Sequence, residues 1–319
     1  MSKVAITDYT FPDLSIETQI LEAAGLEVIS GQCKTQQDLI MLTANADYVI
    51  TQFAPVDVDV IKAMSNCKVI VRYGIGYDNV DCETAKKKGI PVCNIPTYCI
   101  DEVADHTLSF ILSMTRQLLA NAKYVQSGKW GLGTDLSKMR GLYDSTVGII
   151  GLGRIGQAVA KRLQGFGCRL IAYDPVVNLT QAASTGCQLV DLDYLLSNSD
   201  IITLHCPSLP TTKNIINNSA LLKMKKGSLL INAGRGDLIC ADALTEALIT
   251  GHLAGAAIDV FSTEPVPIDS PLLDMDNVLI TSHIASASPQ SAKTLRETAA
   301  QIVVISAKGE SLPNVVNSL

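Results

Sequence analysis

The chain has no excess of positive charge, no long unbroken apolar run and no closely spaced cysteine pair, and each absence removes a class of function. Lys and Arg total 25 against 31 Asp and Glu, a formal net charge of −6. No basic tail or stripe is there to face phosphates, so nucleic acid is not expected as the primary ligand. The longest apolar stretches, such as the one from Ile100 to Met114, are broken by Asp101, Glu102, Asp105 and His106. They fall short of the roughly 18 apolar residues of a membrane span, and no membrane partner is expected. Met1 to Tyr9 lacks the apolar core of a signal peptide, so a cytoplasmic protein is expected. The 9 cysteines are odd in number and none stands in a Cys-x-x-Cys pair, which argues against a disulfide framework and against a zinc site. No metal is expected, and Cys93, Cys168 and Cys187 read as small core residues.

What remains is a globular composition: 319 residues, 47% hydrophobic and 18% charged, with 22 Gly and 12 Pro. A chain of this length buries about 75% of its unfolded surface and usually divides into two domains. β-type runs at 4–7, 27–29, 48–50 and 69–71 alternate with helical stretches at 15–24 and 35–42, the pattern of a parallel sheet flanked by helices. One long helix is expected next. It carries Val103, Ala104, Thr107, Leu108, Ile111, Leu112, Thr115 and Leu119 on one face, Asp101 and Glu102 in its first turn and Gly128 near its end. Six further strands, at 146–150, 169–173, 201–204, 228–232, 254–258 and 278–281, suit a doubly wound sheet. The last helix is expected to start at Ser288 as N-cap with Pro289 in its first turn and to end before Gly309, leaving 312–316 to return to the first domain.

Between the strand at 146–150 and the next helix stands Gly151-Leu152-Gly153-Arg154-Ile155-Gly156. In that context Gly151 permits a tight turn, Gly153 lets the backbone approach a pyrophosphate, and Gly156 allows close packing of helix on strand. Three glycines at fixed spacing arise by chance in roughly one chain in ten of this glycine content, so the order strand, turn, helix, strand is what gives the signal weight. The next strand ends at Asp174, placed to bind both ribose hydroxyls and to repel a 2′-phosphate, so NAD is expected rather than NADP.

Reduction of a ketone by a nicotinamide needs a proton donor near the carbonyl oxygen, a group orienting that donor, and a cation for a substrate acid. Among the 4 His, His252 sits in a Thr-Gly-His turn and reads as a surface or capping residue, while His106 reads as packed in the long helix. His205 and His283 each follow a strand at the carboxyl edge of a sheet, where ligands bind.

Three motifs then resemble one family closely: Asn232-Ala233-Gly234-Arg235-Gly236, Asp259-Val260-Phe261-Ser262-Thr263-Glu264-Pro265 and Thr281-Ser282-His283-Ile284-Ala285. Together with Arg72-Tyr73-Gly74-Ile75-Gly76-Tyr77-Asp78-Asn79-Val80-Asp81 they are similar to the NAD-dependent D-isomer-specific 2-hydroxyacid dehydrogenases, a family that includes phosphoglycerate, glycerate and D-lactate dehydrogenases and the C-terminal binding proteins. The resemblance implies an α/β fold of two Rossmann- or flavodoxin-like doubly wound parallel-sheet domains with an active-site cleft between them. It implies a discontinuous substrate domain of residues 1–98 and 287–319, an NAD-binding domain of 99–286, and a homodimer built on the long helix. A serine-sensing domain like that of the regulated phosphoglycerate dehydrogenases is not expected.

Carried over by motif, His283 is the general acid in reduction and base in oxidation, Glu264 hydrogen-bonds to it, and Arg235 binds the substrate carboxylate and polarises its carbonyl. The physics agrees, because a neighbouring carboxylate favours the imidazolium and the planar fork of Arg suits a two-oxygen acid. Gly74, Ile75 and Gly76 resemble a second carboxylate clamp of backbone N–H groups. For NAD, the resemblance places Arg154 and Ile155 over the pyrophosphate with Gly151, Gly153 and Gly156 beneath it. Asp174 takes the ribose, and His205, Cys206, Pro207 and Thr212 line the adenosine side. Ala233, Gly234, Arg235, Asp259 and His283 flank the nicotinamide, with Thr107 and Ser286 as further candidates. Residues 98–106 are similar to the bacterial relatives of the C-terminal binding proteins, but the Trp of those proteins is Ser286 here, which weakens any expectation of a bulky apolar keto acid. Ser282 replaces a familiar Pro, and Glu264 stands where formate dehydrogenases of this superfamily carry Gln, which disfavours formate. Two alternatives stay open: a phosphorylated, sulfonated or phosphite-type substrate met by Arg72, Lys138 or Arg140, and an NAD-sensing corepressor-like protein.

Overall fold

Val4, Ala5, Ile6, Val49, Ile50, Val69, Ile70 and Val71 have no exposed surface, and neither do Val147, Ile149, Ile201, Ile202, Leu230 and Ile231. Strands buried on both faces belong to parallel sheets covered by helices on either side. The computed structural model describes residues 1–318 and has two such sheets, one in each of two compact units, Met1–Tyr98 with the chain from Ala287 onward, and Cys99–Ser286.

In the first unit the strands are β1 (Lys3–Ile6), β2 (Glu27–Ser30), β3 (Tyr48–Thr51), β4 (Val69–Arg72) and β5 (Val92–Cys93), all parallel, in the order β2-β1-β3-β4-β5. Between them run α1 (Ser15–Ala23), α2 (Gln36–Thr43), α3 (Val58–Ala63) and α4 (Cys82–Lys87). The order reverses at β1/β3, as in flavodoxin-like sheets. The two short helices and the two-residue β5 add to the sequence expectation. They carry too few turns to show a period, and each is fixed by caps such as the Asp57 carboxylate on the amides of Asp59 and Val60.

The second unit opens on α5 (Ile100–Arg116) and α6 (Leu118–Gln126) rather than on one long helix. Gln117 adopts a left-handed conformation, φ 51, and its side-chain amide donates to the Met114 carbonyl, ending α5. Leu119 therefore lies half-exposed on α6 instead of continuing the buried stripe of Val103, Ala104, Leu108 and Ile111. The strands that follow are β6 (Thr146–Ile150), β7 (Arg169–Tyr173), β8 (Gln188–Leu189), β9 (Ile201–Leu204), β10 (Ser228–Asn232), β11 (Leu253–Ile258) and β12 (Val278–Ile280). All are parallel, in the order β12-β11-β10-β9-β6-β7-β8. That makes seven strands where six were expected, the addition being the two-residue edge strand β8. Helices α7 (Arg154–Gln164), α8 (Leu179–Ala183), α9 (Leu192–Asn198), α10 (Asn218–Lys223) and α11 (Ala241–Ile249) connect them. The order reverses between β6 and β9, so the loops after these two strands meet at the switch point where α/β sheets bind ligands.

The chain then returns to the first unit as α12 (Pro289–Ala307), which packs on α1. Ser288 caps it through the Ser291 amide, Pro289 sits in its first turn, and Gly309, φ 71, follows its end. Beyond it Val315 pairs antiparallel with Cys93, and the Asn317 side chain ties the Val92 amide and the Ile90 carbonyl. No helix among the described residues is long and apolar enough to cross a membrane.

Candidate active site

The glycine loop after β6 has the shape a dinucleotide needs. Gly151 takes φ +91, and a Cβ there would lie 2.4 Å from the Cys206 amide of the loop after β9. A Cβ on Gly156 would lie 2.1 Å from the Gly151 carbonyl oxygen, whereas one on Gly153 would meet nothing within 4 Å. The outer two glycines are thus dictated by packing and the middle one faces open space, where a phosphate can approach the backbone. Gly153 is the N-cap of α7 and brings no side chain to its first amides, so these and the positive end of the helix dipole point at that space. Arg154 lies exposed on its first turn and Ile155 is half-buried behind it.

Asp174, at the end of β7, accepts from the Leu152 amide at 2.8 Å through Oδ2 and from the Val176 and Val177 amides at 2.8 and 3.1 Å through Oδ1. It therefore holds the glycine loop while keeping its charge beside it. His205 contacts the Thr203 hydroxyl at 2.9 Å, and burial pushes its imidazole down to about 4, so it is neutral near pH 7. Burial likewise pushes the Cys206 thiol up to about 11, which keeps it protonated. Thr212 donates to the Pro207 carbonyl at 2.6 Å and closes the turn that carries both. These residues fit a dinucleotide carrying two ribose hydroxyls.

Beyond the carboxyl ends of β10, β11 and β12 three loops converge. His283 takes φ 57, and its Nδ1 lies 2.8 Å from Glu264 Oε2. Glu264 Oε1 accepts from the Phe261 amide at 2.8 Å. Burial alone would raise the Glu264 carboxyl, but it sits below its ordinary value of 4.5. The His283 hydrogen bond, the Phe261 amide and the charges of His283 and Arg235 outweigh that burial. Arg235 follows the Asn232-Ala233-Gly234 turn, in which the buried Asn232 side chain accepts from the Gly234 amide and donates to the Arg235 carbonyl. Arg235 Nη1 donates to the Gly234 carbonyl at 2.9 Å. A Cβ on Gly236 would stand 1.9 Å from the Phe261 carbonyl carbon, so the Arg235 loop and the Glu264 loop meet backbone to backbone.

Asp259 has no exposed surface, and its carboxylate is committed inward. It accepts from the Ile284 amide at 2.9 Å, the Ala285 amide at 2.9 Å and the Thr281 hydroxyl at 2.5 Å, while its carbonyl accepts from the His283 amide. His106 Nε2 contacts the same Thr281 hydroxyl at 3.1 Å. Asp259 thus shapes the turn that places His283 in its left-handed conformation. Thr107 is fully buried with its hydroxyl on the Val103 carbonyl, and Ser286 is half-buried at the end of the His283 loop. His252 contacts the Leu221 and Met224 carbonyls at the end of α10, a capping role. Asn232 and Thr281, quoted in the motifs without a role, are the supports that motif reading missed. Their polar side chains next to strand ends were the available signal. Among the described residues no group of three or more His, Cys, Asp or Glu could hold a metal ion.

In the first unit, Gly74 to Gly76 follow β4. A Cβ on Gly74, φ +150, would lie 1.6 Å from Arg72 Nη1. The Gly74 carbonyl accepts from the Ile95 amide at 2.9 Å and the Ile75 carbonyl from the Asn94 side chain at 2.6 Å. Both carbonyls are thereby held, and across a planar trans peptide the N–H that follows each points the opposite way.

Comparison with known proteins accords with this geometry. Residues 108–285 match the family model for the NAD binding domain of the D-isomer specific 2-hydroxyacid dehydrogenases. A glyoxylate reductase of Korarchaeum cryptofilum is 37% identical over 265 residues, 82% of this chain and 80% of that protein. A D-3-phosphoglycerate dehydrogenase of Methanocaldococcus jannaschii is 38% identical over 322 residues, 99% of this chain but 60% of that longer protein. The structure of a D-lactate dehydrogenase from Aquifex aeolicus complexed with NAD and lactic acid superimposes with a TM-score of 0.87 at 30% identity, covering 96% of both chains. The chain belongs to the D-isomer specific 2-hydroxyacid dehydrogenase family and is an NAD-dependent oxidoreductase of hydroxy and keto acids.

Proposed function

We propose that the protein reversibly interconverts a small D-2-hydroxy acid and its 2-keto acid, with His283 as proton donor and acceptor. The observation that carries this reading is the 2.8 Å contact of His283 with Glu264, beside Arg235 at the strand ends of the coenzyme unit. With Nδ1–H donated to the Glu264 carboxylate, Nε2 is the ring nitrogen that gives a proton to the carbonyl oxygen in reduction and takes it from the hydroxyl in oxidation. Arg235 binds the carboxylate through two N–H groups and draws charge from the carbonyl. The Ile75 and Gly76 amides give the carboxylate a second hold. Bound NADH supplies the hydride.

For the coenzyme, Gly151, Gly153, Arg154, Ile155 and Gly156 hold the pyrophosphate and Asp174 takes the ribose hydroxyls. His205, Cys206, Pro207 and Thr212 receive the adenosine, while Ala233, Gly234, Asp259, Thr107 and Ser286 shape the nicotinamide side. A glyoxylate reductase that this chain spans for 80% of its length supports a small keto acid such as glyoxylate as the substrate. A second reading, a phosphorylated or sulfonated acid, draws on Arg72, whose guanidinium lies directly against Gly74. Arg140 lends it nothing. Its guanidinium is bound to the Gly227 carbonyl before β10, about 17 Å along the sheet from the end that carries Arg235.

The test follows NADH consumption with glyoxylate, hydroxypyruvate, pyruvate, 3-phosphohydroxypyruvate and 3-sulfopyruvate. A preference for an uncharged-tail acid, lost in His283→Ala, is the expected result; a preference for the dianions would favour the second reading, and no turnover with any acid would refute both.

The partner most consistent with α6 is a second copy of the chain. Leu118 and Leu119 are 52% and 51% exposed, and Trp130, Leu132, Leu136 and Tyr143 in the following segment are exposed as well. Light scattering across a dilution series is expected to give a dimer, and Leu118→Lys with Leu119→Lys a monomer.

A further inference from the structure

Glu17 has no exposed surface and Arg296 is 7% exposed, so this ion pair is out of water. Arg296 Nε reaches the two Glu17 carboxylate oxygens at 2.8 and 3.1 Å, and Nη2 donates to Oε2 at 2.7 Å. Nη2 also donates to the Asp13 carbonyl at 2.7 Å and lies 3.2 Å from the Asp13 carboxylate. The remaining donor on Glu17 is the Tyr73 hydroxyl, 2.9 Å from Oε1. Phe11 closes the cluster, with its ring edge-on to Tyr73 at 5.5 Å and the Arg296 guanidinium 5.0 Å from its centre.

Stability is a weak reason for such a pair. Desolvating two charges costs about as much as their attraction returns, and well-packed apolar residues of similar volume often stabilise as well. What the ion pair provides that an apolar trio would not is direction, because a buried tyrosine hydroxyl must find its acceptor and Glu17 presents that acceptor from one side. Tyr73 is the residue immediately before Gly74. The cluster therefore fixes the start of the loop, as Ile95 and Asn94 fix its carbonyls. Three distant stretches of chain meet here: α1, the end of β4 and α12.

We propose that Glu17 and Arg296 are positioning residues for the substrate loop: through the Tyr73 hydroxyl they set where the Ile75 and Gly76 amides point, so substrate affinity depends on the C-terminal helix α12. This rests on the reading of Gly74 to Gly76 as a carboxylate clamp. The two are separated by testing Tyr73→Phe, Arg296→Lys, Arg296→Met and Gly74→Ala, which must shift the loop because its Cβ meets the Arg72 guanidinium at a positive φ, in the full chain with NADH and the best keto acid of the panel.

Tyr73→Phe keeps the ring and the ion pair and loses one hydrogen bond to a charged group. It is expected to raise KM for the keto acid about three- to tenfold while kcat and the Kd for NADH stay within about twofold. Arg296→Met is expected to raise KM further and Arg296→Lys to restore part of the loss; should Arg296→Met fail to fold, Tyr73→Phe decides. If Gly74→Ala raises KM while Tyr73→Phe and Arg296→Lys lower only Tm, the cluster is merely structural and the proposal is overturned, with the loop reading intact. If Gly74→Ala leaves KM unchanged, the loop reading falls and this proposal with it.

Discussion

At the scale of single residues, chemistry is concentrated in a few side chains whose surroundings differ in kind. Glu264 sits below its ordinary value, so it is ionised throughout the neutral range. A carboxyl lowered in the folded state adds stability that is present above its unfolded value and is lost as the pH falls through the folded one. The contact with His283 therefore persists, from the carboxylate side, down to mildly acidic pH. His283→Ala is expected to lose about 10²- to 10⁴-fold in kcat, about 3 to 5 kcal/mol of barrier lowering, with NADH binding unchanged by fluorescence titration. His205 behaves oppositely. Its folded value of about 4 lies below the 6.5 of the unfolded chain, so as pH falls between these values the unfolded state takes the proton first and stability declines. That decline reaches up to about 3 kcal/mol over the whole interval, and denaturant unfolding at pH 7 and pH 5 should show about 2 kcal/mol of it in the wild type and none in His205→Gln.

The residues proposed to meet the substrate could be picked out in the sequence because Arg235, Glu264 and His283 stand in motifs. Their supports were not. That Asp259 turns inward to three donors of the His283 loop, or that Asn232 braces Arg235, depends on two strand ends lying side by side, which spacing along one chain does not encode.

At the scale of elements, strands were readable wherever an apolar run of four or five residues is buried on both faces, as in β1, β3, β4, β6, β9 and β10. β5 and β8 were not, because two residues have no pattern of their own. The division of α5 from α6 carries no Gly or Pro, and a Gln in the left-handed region is a tertiary decision. Contact between loops is decided at this scale too. Because Gly236 meets the Phe261 backbone directly, Gly236→Ala must displace either the Arg235 or the Glu264 loop. A shift of about 1 Å there is expected to cost on the order of 10²-fold in kcat/KM, with Kd for NADH nearly unchanged. Steady-state kinetics beside a coenzyme titration checks this, and a variant with unchanged kcat/KM would show that the close approach has no catalytic consequence. Asp174→Ser is expected to weaken NADH about tenfold and to narrow the gap to NADPH, since it removes the charge that repels a 2′-phosphate and loosens the Leu152 amide it holds.

At the scale of the whole molecule, two parallel sheets of five and seven strands each reverse their order once, and the candidate coenzyme loops stand at the reversal of the larger. The doubly wound class was evident from the alternation of strand and helix, whereas strand order was not, since alternation alone does not say which strand lies beside which. The first unit is completed only by α12 and the tail on β5, so its structure and the loop after β4 depend on residues that follow the coenzyme unit in sequence. The proposed mechanism stands or falls on Glu264, whose carboxylate orients His283 and balances the charge of its proton during reduction. The most direct test is kcat for keto acid reduction at saturating NADH, in the wild type and in Glu264→Gln, beside the Kd for NADH by fluorescence titration. The expected result is a kcat lower by on the order of 10²-fold in Glu264→Gln with the Kd for NADH nearly unchanged; an unchanged kcat would contradict it.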